Sequence, residues 1–234
     1  AVGGSTDLSS YAVTTTNSSS QTFSAYVETT GNQTYTAAGG IVTSGARTFD
    51  SSGGTVNFAS ALSGNNNVTV TGNADIDGAI TDIAVLSITG TANIGADITS
   101  SDTQTYGDAV TLSANVTLTT SSDVVTFDST VNSDGSTRNL TIATGGNSTE
   151  INFDGVVGGS AAVGAITITG ALDLNAPIIS ATSLSVSGVS NLGANVTTSG
   201  TQTYLAATTL SGGARTLEGS TIQTITIDGS QNLT

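Results

Sequence analysis

The chain has no cysteine, histidine, lysine, methionine or tryptophan, and a single proline. Without cysteine there is no disulfide, no thiolate metal ligand and no thiol nucleophile. Export as an unfolded chain remains compatible with that absence. With histidine and lysine also missing, the side chains open to acid–base or nucleophilic work are carboxylates, hydroxyls and three arginines, Arg47, Arg138 and Arg215. Seventeen acidic residues give a formal net charge of −14. Such a chain repels nucleic-acid phosphates and anionic membrane surfaces, and three scattered arginines make no phosphate footprint. No apolar run is long enough to span a bilayer. The opening AVGG lacks the basic region and apolar core of a signal peptide. It fits cleavage behind a small residue as well as a cut within a longer chain.

What is abundant is threonine, serine, valine, isoleucine, asparagine and glycine. The first four favour strands, and no window places apolar residues at helical spacing. The chain is expected to be all-β. Glycine (29 residues) follows no triplet period, so collagen is excluded, and one proline is too little for a disordered linker.

The sequence repeats itself. Residues 86–112 and 184–210 share 15 of 27 positions without a gap, at an offset of 98. VTVTG at 68–72 lies 98 residues before ITITG at 166–170, and VNF at 56–58 answers INF at 151–153. A third copy, NQTYTAAGGIVTSGARTF at 32–49, resembles TQTYLAATTLSGGARTL at 201–217. Gln-Thr-Tyr therefore recurs at 33–35, 104–106 and 202–204. Inside these units runs a shorter beat: VTVTG to LSITG, and ITITG to LSVSG, each a step of 18 residues. Alternation of apolar and polar residues puts one side of each strand inward, which places Val68, Val70, Ile166 and Ile168 in the core. Glycine, asparagine and aspartate at the breaks supply turns.

Short strands at a step near 20 residues predict a β-solenoid of about 11–12 coils, stacked at about 4.8 Å into a rod of about 55 Å. A string of β-sandwich domains also gives short strands with frequent turns. A sandwich needs a central aromatic cluster, however, and aromatics make up only 4% of this chain. The division expected is a Ser/Thr-rich segment at 1–30, acting as first coil or inter-subunit docking segment, followed by solenoid repeats at 31–234.

Stretches such as TQTYGDAVTLSANVTLTT, VVTFDSTVNSDGSTRNLTIATGG and INFDGVVGGSAAVGAITITG resemble the repeats of filamentous-haemagglutinin-like adhesins and related β-strand repeat proteins of bacterial surfaces. The resemblance covers roughly residues 30–234. It implies a right-handed parallel β-helix, export, and a role in adhesion, biofilm or surface structure. The amino-terminal secretion domain of those adhesins has no counterpart here.

No catalytic, cofactor-binding or metal-binding residue stands out. Solenoids that cleave polysaccharides use a carboxylate pair or a calcium–arginine constellation, whereas Glu28, Asp50, Asp97, Glu150, Asp154 and Glu218 are scattered singly. Arg47 and Arg215 share a place in the repeated GART, which points to a turn or surface role. DIDG at 75–78 and NSDGS at 132–136 read as turns, because the further ligands of a calcium loop do not follow. Asn-X-Ser/Thr sequons at Asn17, Asn32, Asn67, Asn115, Asn139, Asn147, Asn195 and Asn232 are expected from composition alone. Thr-X-Thr stretches raise an ice-binding reading, which irregular coil length argues against. Tyr35, Tyr106 and Tyr204 are read as covers over the ends of local apolar patches.

The function expected is that of a non-catalytic structural or adhesive segment of an exported bacterial β-solenoid, located outside the cell or on its surface and using no cofactor. The alternative is a subunit of an extracellular filament that stacks head to tail, with backbone from further chain or a second copy pairing along 225–234. Partners under either reading are further chain, identical subunits, or a glycan or matrix surface, with no nucleic acid and no membrane insertion.

Overall fold

The computed structural model describes residues 8–16 and 18–228. The prediction for the closing residues 229–234 lies outside this range. Among the described residues there are 27 strands and no helix. Every strand pairing is parallel, as in a β-solenoid, and the chain makes about 11 turns. The sandwich alternative is thereby excluded, since its sheets are antiparallel.

The turns stack into three faces, visited in a fixed order. The first face runs from Tyr11 through Gln33, Val56 and Ala74 down to Leu217. The second runs from Gln21 through Ile41 and Leu62 to Tyr204 and Thr224. The third runs from Val27 through Phe49, Val70, Ile88 and Tyr106 to Leu210. Some strands turn a corner without a break. Arg47–Phe58 pairs through its first half with Val27–Thr29 on the third face and through its second half with Gln33–Ala37 on the first. Residues 8–30 contribute the opening rungs, where Tyr11–Thr15 pairs with Gln33–Ala37.

The alternation read from sequence sets the core. Val68, Val70, Ile166 and Ile168 are all at most 1% exposed, with Thr69 and Thr167 pointing outward between them. One continuous cluster of inward side chains fills the solenoid. Scarce as they are, aromatics provide its largest fully buried members, among them Phe49, Phe58, Phe127 and Phe153. Tyr106 stacks on Phe127 (ring centroids 5.1 Å) and Phe127 on Phe153 (5.0 Å), because parallel in-register coils place like positions one above another.

The glycine that ends each VTVTG-type beat has a steric cause. Gly90 donates its N–H to the Gly72 carbonyl at 3.0 Å, and Gly188 donates to Gly170 at 2.9 Å. A Cβ on Gly90 or Gly188 would lie 2.6 Å or less from backbone atoms of the coil above. Only glycine permits this approach at the corner.

Turn length varies while register holds. Val68, Leu86 and Gln104 pair in steps of 18, but Val125 pairs with Ile151, 26 residues on. The extra length leaves at corners, including 134–139, where Arg138 bridges Asp134 at 2.7 Å.

Candidate functional site

The three Gln-Thr-Tyr triplets are the most distinctive chemistry of the chain, and they are internal. Tyr35, Tyr106 and Tyr204 are at most 1% exposed, and Gln33, Gln104 and Gln202 are fully buried. Each tyrosine O–H donates to Oε1 of the glutamine two residues before it, at 2.7, 3.0 and 3.1 Å. Strand periodicity makes this possible, because residues i and i+2 face the same side. Each glutamine Nε2 then donates to the carbonyl of a residue in the next coil: Asp50, Thr119 or Glu218, at 2.5, 2.9 and 2.7 Å. It also donates to the hydroxyl of Thr29, Ser100 or Thr198, four residues back. That hydroxyl in turn donates to the carbonyl of Gly31, Asp102 or Gly200, tightening the corner. Every polar atom of the cluster has a partner, which is the condition for burying it. Burial holds all three phenols far above their ordinary pKa, with Tyr11 adding to the effect on Tyr35. The tyrosines are core members, and the reading of them as covers over patch ends is corrected.

The three copies occupy three different faces: 33–35 the first, 104–106 the third, 202–204 the second. The 98-residue repeat is therefore not a whole number of turns. Leu86–Ile88 lies on the third face and its copy at 184–186 on the second. Arg47 and Arg215 follow the same rule. Arg47 donates Nε to the Phe23 carbonyl at 3.1 Å and Nη2 to the Ser44 carbonyl at 2.7 Å. Arg215 donates Nε to the Leu192 carbonyl at 3.3 Å and Nη2 to the Ser211 carbonyl, at a corner one face away. Both clamp turns, as their shared repeat position suggests.

Corner asparagines explain many of the sequons. Asn32, Asn115, Asn139 and Asn195 each accept, through Oδ1, a backbone N–H one coil further on, from Thr55, Asn139, Ala165 and Thr216. At Asn115, Asn139 and Asn195 a strand begins immediately after the corner, with an apolar residue inward and a threonine outward. Asn-X-Thr is the written form of that geometry. The sequons at Asn17 and Asn232 lie outside the described residues.

The outward surface carries two carboxylate–amide ladders that sequence spacing did not reveal. On the first face Asn57 Nδ2 donates to Asp75 (2.7 Å) and Asp77 (2.9 Å), and Asn93 Nδ2 donates to the other Asp75 oxygen (2.7 Å). On the third face Asn191 donates to Asp173 (2.7 Å), and Asn175 donates to both Asp173 (3.1 Å) and Asp154 (2.8 Å). Asp154 thus meets Asp173 across one turn, and Glu28 stands opposite Asp50 in register. Amide donors engage these aspartates on open strand faces. DIDG belongs to the first ladder, while in NSDGS Asp134 accepts from Ser136 N–H and from Arg138, which holds its carboxyl below the usual range. Among the described residues no group of three or more carboxylates is placed to hold a metal ion.

Hydroxyl ladders persist where irregular turn length was expected to break them. Thr48, Thr69, Ser87, Thr105 and Thr126 stand in register on the third face. The corners absorb the differences in length.

No known protein family, no curated protein and no solved structure matches this chain.

Proposed function

We propose that the chain is a non-catalytic structural or adhesive segment of an exported bacterial β-solenoid protein, displayed on the cell surface or outside it. The observation that carries the reading is the placement of the Gln-Thr-Tyr corners on three different faces. A site built from these repeated side chains would need them to converge. Here they are dispersed around the axis, where they lock successive turns of a rod. The resemblance to filamentous-haemagglutinin-like repeats supports the same reading, as does an acidic surface free of lysine. Contact with a glycan or matrix surface would then run along the sides of the rod.

A second reading, head-to-tail stacking into a filament, rests on the ends of the described coils. Tyr11 and Val13 at one end, and Ile222 and Ile227 at the other, pack on the core yet stay partly exposed.

The test is twofold. Antibodies against the chain should label intact producing cells, and in-frame deletion should lower their attachment to surfaces. Turnover of a polysaccharide by the purified chain, abolished by Asp75→Asn or Asp173→Asn, would overturn the reading.

A further inference from the structure

The three Gln-Thr-Tyr clamps are alike in their hydrogen bonds and unlike in what packs beneath them. In register one turn below Tyr35 stands Phe58, and below Tyr106 stands Phe127. Below Tyr204 stands Thr224. Tyr35 is in ring contact with Tyr11, Phe23, Phe49 and Phe58, and Tyr106 opens a stack that runs through Phe127 to Phe153. After Phe153 the sequence holds a single aromatic residue, Tyr204. The turns around Tyr204 also carry two inward hydroxyls without a hydrogen-bond partner, those of Ser190 and Thr208. Ser187 O–H donates to Asn147 Oδ1 at 2.9 Å and ties these turns to the corner at 144–149, but that bond is exposed to water.

We propose that residues 178–228, three turns around Tyr204, are a yielding segment: under tension they unwind as a unit while the turns from Val27 to Leu174 hold. Each turn of a solenoid touches only its neighbours, so stability is a sum of local terms and the weakest run opens first. Two independent deficits select this run. One is ring packing, which elsewhere in the rod adds to the gain from burial. The other is the pair of buried hydroxyls, whose desolvation nothing offsets. Ser190 lies on the first of the three turns, Thr208 and Tyr204 on the second and Thr224 on the third, so the deficit covers all of them. Water replaces the exposed Ser187–Asn147 bond at little cost. The stack from Tyr106 to Phe153 is the stop. Unwinding about 50 residues at about 3.5 Å each, less three turns of about 4.8 Å, lengthens the chain by about 160 Å. The use of such a segment, to limit the load on an attached rod, rests on the structural role proposed for the chain. The unwinding itself is a property of the purified chain, so failure of one leaves the other standing.

Hydrogen exchange read by mass spectrometry, and force spectroscopy with handles at both termini, test the proposal on the purified chain. Strands within 178–228 should exchange about tenfold or more faster than strands within 86–153. In the pulling experiment the first lengthening should be about 160 Å, at a lower force than any later one. Thr208→Val combined with Ser190→Ala removes the unpaired hydroxyls and should slow exchange within 178–228 and raise the force of the first event. Thr224→Phe, which restores the ring found beneath the other two tyrosines, should act in the same direction. Phe127→Leu should speed exchange within 104–153 and leave 178–228 unchanged. Circular dichroism checks that each variant keeps its β structure. Uniform exchange from Val27 to the end of the segment, a first lengthening that arises from the turns before Leu174, or exchange within 178–228 that ignores the paired Thr208→Val and Ser190→Ala changes would each overturn the proposal.

Discussion

Tyr106 donates its phenolic hydrogen to Gln104 Oε1 at 3.0 Å, inside a core from which both side chains exclude water completely. The pair recurs as Tyr35–Gln33 and Tyr204–Gln202, and each copy ties one turn to the next. Gln104→Leu would strand the Tyr106 hydroxyl and the Thr119 carbonyl. The loss should be about 2–6 kcal/mol, since each stranded buried group costs about 1–3 kcal/mol. Tyr106→Phe leaves only Gln104 Oε1 unpaired and should cost about 1–2 kcal/mol. Chemical denaturation followed by circular dichroism measures both, and the order Gln104→Leu worse than Tyr106→Phe is the expected outcome.

The same burial gives a pH dependence. The folded-state pKa of Tyr35, Tyr106 and Tyr204 is raised above the unfolded value of about 10. Their contribution to stability is therefore complete below pH ~10 and falls as pH rises past it, because the unfolded chain then releases protons that the folded chain retains. In an alkaline titration the tyrosinate absorbance of these three should appear together with loss of the β signal. Smooth ionisation at pH ~10 with the fold intact would contradict their burial.

Ser190 and Thr208 face inward on adjacent rungs, and their hydroxyls are buried without a hydrogen-bond partner. The equivalent positions 98 residues earlier are Ala92 and Val110. Thr208→Val removes an unsatisfied group at nearly constant shape and should stabilise the fold by about 1 kcal/mol. A higher denaturation midpoint is the expected result, and it should rise further with Ser190→Ala.

Alternation is tested by neighbouring substitutions. Ile168→Ala opens a cavity in the core and should cost about 2–5 kcal/mol. Thr167→Ala, one residue away and facing out, should stay within about 0.5 kcal/mol.

Much of the fold was legible in sequence because a solenoid writes its strands in period two and its turns in period 18 to 26. VTVTG and ITITG disclosed both the inward set and the corner glycine. What could not be read is which face a repeat lands on. An offset of 98 residues becomes a rotation only when the corners have known lengths, and 134–139 and 144–149 vary them. For the same reason Asp154 and Asp173 looked solitary, though one turn brings them to a shared amide. Gln104 and Tyr106 stand on one strand side in the sequence pattern, yet Tyr106 read as a cover over a patch end, because the glutamine's partners in the next coil lie far away in sequence.

Engineered cysteines test the central claim, that parallel turns carry the repeats to different faces, most directly, since the chain has no cysteine of its own. Ser87→Cys with Thr105→Cys joins register partners on one face, at a spacing of about 4.8 Å that a disulfide spans. This pair should oxidise fully within the monomer. Asn152→Cys with Thr167→Cys joins the third-face continuation of Thr69 to the repeat copy of Thr69, which pairs with Thr141 on the second face, and should remain reduced within the monomer. Oxidation of the second pair, or failure of the first in a folded chain, would contradict the account.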